Sequence, residues 1–127
     1  MSYLIDTNVL IELLRGNKKV AEFLENLEKP LFISGITEIE LLSGKECKQK
    51  SKKDRVVELI LLFEKINPDN EINQLAAELR REFNVGLIDA IIAATAFREK
   101  LILITLDKDF LKVKNKIKVR IPKLSSE

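Results

Sequence analysis

The 127-residue sequence contains no histidine and no tryptophan, and it has a single cysteine and a single tyrosine. Without histidine, the chain lacks the usual general base near neutral pH and the commonest zinc or copper ligand. Cys47 cannot form an internal disulfide, which favours a reducing compartment and leads us to expect a cytoplasmic protein. The longest apolar runs, about ten residues, are too short to span a membrane.

Hydrophobic residues make up 46% of the chain and charged residues 33%, a balance typical of one compact domain, here expected to cover residues 1–127. The formal net charge of +2 is unevenly distributed. Lys45 to Arg55 carries six basic and two acidic residues, and Lys112 to Lys123 carries six basic and no acidic residues. The net charge of the remaining residues is therefore −8 (2 − 4 − 6). Basic edges around an acidic body would suit a polyanion; a solvated charged surface explains either segment alone equally well.

Short apolar segments alternate with longer amphipathic ones along the chain. The predicted strands are Ser2 to Ile5, Leu31 to Ser34, a short one within Lys65 to Pro68, Leu101 to Thr105, and Ile117 to Ile121. A long helix is predicted to reach Glu64, and the polar segment Lys45 to Lys53 before it is either a loop or the exposed start of this helix. A single turn is predicted at Asp107 to Lys112. The other predicted helices are Asp6 to Arg15, Lys18 to Leu27, Gly35 to Ser43, Asp69 to Phe83, and Leu87 to Glu99. This alternation predicts an α/β fold whose parallel sheet is covered on both faces.

Four acidic residues lie where such a sheet would place a site. Asp6 directly follows the first strand, Asp107 follows the strand at 101–105, and Glu40 lies in the helix after the second strand. Asp89 is the only charge between Leu87 and Phe97, in a helix so apolar that we expect it to be buried on all sides. Because ligand sites of open α/β sheets lie at the carboxyl ends of the strands, these acids are expected to converge there.

Each acid also has a purely structural interpretation. Aspartate is a preferred N-cap and a favoured first-turn residue, which would account for Asp6, Asp89 and either Asp107 or Asp109. Glu38 and Glu40 point about 200° apart on a helix, and periodicity does not choose between them. Clustered carboxylates repel by about 4 kcal/mol per pair at ~4 Å and a dielectric of 20. A convergent site would therefore bind a cation, and oxygen ligands favour Mg²⁺ or Mn²⁺.

Four segments in order resemble the motifs of PIN domains, and more closely those of the VapC-type toxins of toxin–antitoxin pairs. They are Leu4 to Leu10, Ser34 to Gly44, Leu87 to Ala96, and Leu103 to Phe110. The resemblance implies a three-layer α/β/α PIN-like fold with a central, mostly parallel sheet. It selects Glu40 over Glu38, and it assigns the fourth acid to Asp107 with Asp109 in reserve.

The resemblance further implies a metal-dependent endoribonuclease, in which Asp6, Glu40, Asp89 and Asp107 hold Mg²⁺ or Mn²⁺ for phosphodiester hydrolysis. Its expected partners are an RNA substrate and a cognate antitoxin protein, and the family is commonly homodimeric. Thr7, Asn8 and Thr105 are candidates for positioning water or phosphate. The candidates for contacting the RNA backbone are Lys45, Lys48, Lys50, Lys52, Lys53 and Arg55. Lys116, Lys118 and Arg120 alternate with apolar residues, which favours a charged edge strand over a nucleic-acid contact.

Three other functions share parts of this pattern. An inactive PIN-like module that binds RNA or scaffolds a complex would not need its acids to bind metal. A DNA flap-type nuclease uses the same carboxylate chemistry, but the short chain shows no segment suited to a threading arch. A phosphatase of the doubly wound class would hydrolyse a small phosphomonoester instead of RNA.

Overall fold

A five-stranded, wholly parallel sheet forms the centre of the molecule. The computed structural model describes residues 1–124, so the predicted domain boundary at residue 127 lies outside the described residues. The strands are β1 Tyr3–Ile5, β2 Leu31–Ser34, β3 Glu64–Ile66, β4 Ile102–Ile104 and β5 Val119–Arg120, in the spatial order β3-β2-β1-β4-β5. All four strand pairings are parallel.

Helices cover both faces of this sheet. They are α1 Thr7–Leu14, α2 Lys18–Glu25, α3 Gly35–Leu42, α4 Lys50–Ile60, α5 Asn70–Phe83 and α6 Leu87–Glu99, with 3₁₀ helices at Lys45–Lys48 and Lys108–Val113. Tyr3 and Ile5 of β1 pack with residues of α1 to α4, whereas Leu4 between them packs with α5 and α6. The predicted three-layer α/β/α fold is confirmed, because alternate side chains of each central strand are buried on opposite faces.

Local sequence signals mark most helix ends correctly. Asp6 is the N-cap of α1, and Asn17 caps α2 by accepting hydrogen bonds from two backbone N–H groups. Asn84 adopts a left-handed conformation (φ 54°) directly after α5, which ends at Phe83 as predicted. Of these three residues, Asp6 lies between a strand and a helix, and its cap therefore helps to position the site at the carboxyl edge.

Two predictions about helices are wrong. The helix predicted to reach Glu64 ends at Ile60, and Glu64 begins β3, pairing with Phe32 of β2. The apolar helix α6 is not buried on all sides, since Leu87 and Phe97 are 56% and 47% exposed. Its inner residues are fully buried against α5 and the sheet. The sequence of α6 marks a buried element correctly but overstates the burial of its two ends.

An arginine fixes the end of α6 that lies away from the site. Arg98 makes ion pairs with Asp69 and Glu71 at the start of α5 and with Glu99 beside it. The hydrogen bond from Arg98 lowers the pKa of Asp69, and the same contact raises the pKa of Arg98. The network therefore ties α6 to α5, and α6 carries Asp89 at its opposite end.

Candidate active site

Asp6 is fixed by two hydrogen bonds at the point where β1 becomes α1. The backbone N–H of Thr7 donates to Asp6 Oδ1 at 2.9 Å, and the hydroxyl of Thr105 donates to Asp6 Oδ2 at 2.7 Å. The residue is only 7% exposed. Asp6 is therefore both a helix cap and a buried carboxylate at the carboxyl edge of the sheet, and the two interpretations of this residue are compatible.

The structure separates Glu40 from Glu38 although the two lie on one helix. The hydroxyl of Thr7 donates to Glu40 Oε1 at 2.5 Å, which brings Glu40 beside the first turn of α1. Glu38 instead pairs with Lys65 of β3 at 3.0 Å. A contact between distant elements, which helical periodicity does not encode, decides which glutamate joins Asp6.

Three aspartates form the other half of the acidic cluster. Carboxylate oxygens of Asp89, Asp107 and Asp109 lie within 4.8 Å of one another. Asp89 belongs to the first turn of α6, while Asp107 caps the 3₁₀ helix by accepting a hydrogen bond from Asp109 N at 2.9 Å. Both candidates for the fourth acid are thus within reach of Asp89.

The pKa values link these acids into one electrostatic site. Burial, with smaller contributions from the charges of Asp89 and Glu40, raises the pKa of Asp6 from 3.8 to about 6, against the opposing hydrogen bonds from Thr105 and Thr7. Burial also raises the pKa of Asp89, as do the charges of Asp107, Asp109 and Glu40, while Lys112 opposes the increase. The acids predicted from the sequence are therefore close enough to repel one another.

This donor set is suited to a hard divalent cation. The cluster offers carboxylate oxygens, and histidine is absent from the whole chain. Mg²⁺ and Mn²⁺ prefer oxygen ligands, and a cation would remove the repulsion that raises the pKa values. The residues present thus fit the metal implied by the resemblance, and Asp6, Glu40, Asp89, Asp107 and Asp109 are the ones that could hold it.

The polar residues expected beside the acids all lie at this edge. Thr105 is fully buried, and its hydroxyl accepts hydrogen bonds from Asp107 N at 3.0 Å and Asn8 Nδ2 at 3.4 Å. Asn8 Oδ1 accepts a hydrogen bond from Leu106 N at 3.0 Å. Thr7 is held in the same way, by Glu40 and by the buried Thr37. All three residues are engaged with the protein itself.

Two residues near the acids were missed by the sequence analysis. Thr37 lies 3.0 Å from the hydroxyl of Thr7, and Lys112 faces the charge of Asp89. Thr37 precedes Glu40 by three residues, so the two share one face of α3. That spacing was a usable signal, whereas nothing local distinguishes Lys112 from the other lysines of its segment.

Of the six basic candidates, Lys52 and Arg55 share a cavity with one of the five acids, Glu40. Both line a cavity of about 430 Å³ between α1, α3 and α4, together with Arg15 and Glu40. Within residues 1–124, the lining of this cavity includes none of Lys45, Lys48, Lys50 and Lys53. A larger cavity of about 580 Å³ lies near the starts of β1, β4 and β5, and none of the five acids lines it. Of these two cavities, the smaller one is therefore the one that adjoins the acidic cluster, through Glu40.

The fold and the acidic edge define a PIN domain, and comparison with known proteins agrees. The family model of the PIN domain matches residues 3–116. The chain belongs to the PIN domain family, as the sequence motifs predicted. None of the curated proteins compared with the chain matches it.

Several solved structures share the fold over nearly the whole chain. A chain of a toxin–antitoxin complex from Klebsiella pneumoniae is 34% identical, with 98% of this chain and 100% of that chain covered and a TM-score of 0.86. A chain of FitAcB from Neisseria gonorrhoeae is 26% identical (94% and 97% covered, TM-score 0.80). A chain of DNA-bound VapBC from Salmonella typhimurium is 22% identical (97% and 99% covered, TM-score 0.85) and shows the shared fold alone. These similarities confirm the predicted fold over nearly the whole chain.

Proposed function

We propose that this protein is a metal-dependent endoribonuclease and the toxin of a type II toxin–antitoxin pair. One observation carries the proposal: five acidic side chains from four separate parts of the chain meet at the carboxyl edge of a PIN-domain sheet. Membership of the PIN family supports nuclease chemistry. The similarity to a chain of the Klebsiella pneumoniae toxin–antitoxin complex supports the toxin role.

Mg²⁺ or Mn²⁺ would be held by Asp6, Glu40, Asp89 and Asp107, with Asp109 beside them. When bound, the cation supplies Lewis acidity, which neutralises phosphodiester charge and makes water a better nucleophile. The protein itself fixes Asp6 and Glu40 through hydrogen bonds and excludes water from the buried side of Asp6. Such fixed oxygens lose little freedom when a cation binds, and this favours tight binding at a defined position.

The groove formed by the 430 Å³ cavity supplies a path for the RNA backbone. Arg15, Lys52 and Arg55 lie along it, and Glu40 stands at the acidic cluster. Cations beside an acidic metal site would hold the flanking phosphates while a central phosphodiester enters the site. We assign the RNA contact to Lys52 and Arg55 in the first place, and Lys45, Lys48, Lys50 and Lys53 to longer-range attraction of the polyanion.

The same groove suits the antitoxin. A neighbouring cavity shares Leu14 and Arg55 with it and adds the apolar side chains of Leu13, Leu59 and Leu62. Leu61 and Leu62 are each 77% exposed, which is unusual for leucine and typical of a surface that a partner covers. An antitoxin segment lying here would compete directly with RNA. The expected homodimer and cytoplasmic location stay predictions; within residues 1–124, no helix is long and apolar enough to cross a membrane.

The direct test is a cleavage assay on purified protein with three classes of substrate, namely RNA, branched DNA and a small phosphomonoester. We expect internal cleavage of single-stranded or structured RNA in Mg²⁺ or Mn²⁺, its loss in EDTA, and its recovery when metal is restored. Cleavage of branched DNA but not RNA would favour a flap-type nuclease, and hydrolysis of a small phosphomonoester alone would favour a phosphatase. An absence of metal-dependent cleavage with every substrate, despite correct folding, would favour the scaffold alternative.

Lys52→Ala is expected to weaken RNA binding and to reduce the slope of log affinity against log salt by about one, since one phosphate contact is lost. Lys53→Ala removes the same charge from the same helix outside the groove, and it serves as the matched control. Binding is measured by fluorescence anisotropy in Ca²⁺ over a range of salt concentrations. Equal slopes for the two variants would show that the groove does not guide the RNA.

A further inference from the structure

Thr105 connects two of the acids through one buried hydroxyl. Its single hydrogen is donated to Asp6 Oδ2 at 2.7 Å, and its oxygen accepts from Asp107 N at 3.0 Å and from Asn8 Nδ2 at 3.4 Å. A hydroxyl has one donor and two acceptor positions, so this one is fully used. Thr105 thereby joins Asp6, at the end of β1, to the backbone of Asp107, beyond the end of β4.

Thr7 makes an equivalent connection on the other side of Asp6. Its backbone N–H donates to Asp6 Oδ1, and its hydroxyl donates to Glu40 Oε1 at 2.5 Å. A carboxylate can only accept, so the one hydroxyl hydrogen of Thr7 belongs to Glu40. Thr37, 3.0 Å away, then supplies the hydrogen of the contact between the two threonines. One residue therefore orients both Asp6 and Glu40.

Asp89 differs from the acids held in this way. Among the described residues, its carboxylate has no hydrogen-bond partner, and it is positioned only by α6 and by charge. Two of the five carboxylates are thus oriented by threonine hydroxyls, whereas no hydrogen bond from the described residues orients that of Asp89. A cation entering the site would meet fixed oxygens from Asp6 and Glu40 and an adaptable one from Asp89.

We propose that Thr105 and Thr7 are positioning residues, whose hydroxyls orient the carboxylates of Asp6 and Glu40 for a divalent cation and do not contact water or phosphate themselves. This inference rests on the proposed function, because it assumes that these acids bind a cation. It replaces the role expected from the sequence for these two threonines. The structural reason is that both are buried and both hydroxyl hydrogens are already donated to carboxylates.

Mn²⁺ binding to the full-length protein tests the proposal independently of cleavage. Thr105→Val preserves the shape of the side chain and removes the hydroxyl, and it should weaken Mn²⁺ affinity by about 10- to 100-fold, as loss of a hydrogen bond to a metal ligand does elsewhere. Thr105→Ser restores the hydroxyl and should recover most of the affinity. Thr7→Val probes the second connection, and it also serves if Thr105→Val does not fold.

Thr95→Val is the matched control. Thr95 is as buried as Thr105, but its hydroxyl donates to Ile91 O within α6 at 2.8 Å and contacts none of the acids. Its removal should leave Mn²⁺ affinity unchanged. Affinities are measured by isothermal titration calorimetry and by the electron paramagnetic resonance signal of free Mn²⁺. Wild-type affinity in Thr105→Val, or in Thr7→Val if that is the variant that folds, would overturn the proposal, as would an equal loss in Thr95→Val.

A metal-free measurement separates failure of this proposal from failure of the proposed function. Thr105→Val and Asp6→Ala each remove the same hydrogen bond, the one between the Thr105 hydroxyl and Asp6 Oδ2. The shifts in unfolding midpoint that they cause should therefore be non-additive in the double variant. If the wild-type protein binds no Mn²⁺ and the shifts are non-additive, the proposed metal site is contradicted. The hydrogen bond by which Thr105 orients Asp6 is then still supported. Additive shifts would show that the hydroxyl does not hold the carboxylate.

Discussion

Asp6→Asn is expected to abolish RNA cleavage and at the same time to stabilise the metal-free protein at neutral pH. Loss of activity should exceed about 100-fold, since changing even a residue that only supports a metal ligand costs 10- to 100-fold. The stabilisation follows from the buried charge. Ionising Asp6, whose pKa is raised from 3.8 to about 6, costs roughly 3 kcal/mol in the folded state.

Asparagine avoids this cost but cannot accept both hydrogen bonds that Asp6 accepts. One bond is worth about 1 kcal/mol, so the expected net gain is about 2 kcal/mol, measured as the free energy of unfolding in urea with EDTA present. Asp54→Asn is the control, because Asp54 is exposed on α4 and, within residues 1–124, pairs only with Lys50. A destabilised Asp6→Asn variant would mean that the charge of Asp6 is compensated by the protein alone, with no need of a cation.

The stability of the metal-free wild-type protein is expected to fall as the pH rises from about 4 to about 7. The pKa of Asp6 is higher in the folded protein (about 6) than the ordinary value of 3.8. The folded state therefore binds the proton more tightly, and this stabilisation is complete below pH ~4 and lost as the pH rises through ~6. The contribution of Asp6 is roughly 3 kcal/mol. Asp89, whose pKa is also raised by burial, acts in the same direction.

Saturating Mg²⁺ should offset most of this loss of stability, because a cation binds the ionised acids. At 100 times its dissociation constant, a ligand adds about 2.7 kcal/mol. Asp69, whose pKa is lowered by Arg98, acts in the opposite direction but mainly below pH ~4, outside this range. Urea unfolding at a series of pH values, with EDTA or Mg²⁺, measures both effects. A metal-free profile equally flat in wild type and Asp6→Asn would contradict the assignment of a raised pKa to Asp6.

The α/β class and the parallel sheet followed from local patterns, because the central strands are short apolar runs and four of the described α-helices begin at a side-chain cap. Local patterns did not predict where α4 ends. Nothing in the run from Leu59 to Glu64 breaks a helix, and only pairing with β2 turns Glu64 into a strand residue. Local patterns did not predict the exposure of Leu87 and Phe97 either, since an apolar residue in the sequence indicates burial whether or not another element covers it in the fold.

The sequence by itself determined which residue types were available for chemistry: many carboxylates, no histidine, and acids placed just after apolar strands. Only the tertiary structure decided which of those acids meet and what holds them. Thr105 and Asp6 are 99 positions apart and share a 2.7 Å hydrogen bond, while Glu38 and Glu40 are two apart and face different partners. Periodicity and capping are local properties of the chain, whereas hydrogen bonds between side chains depend on how distant elements pack.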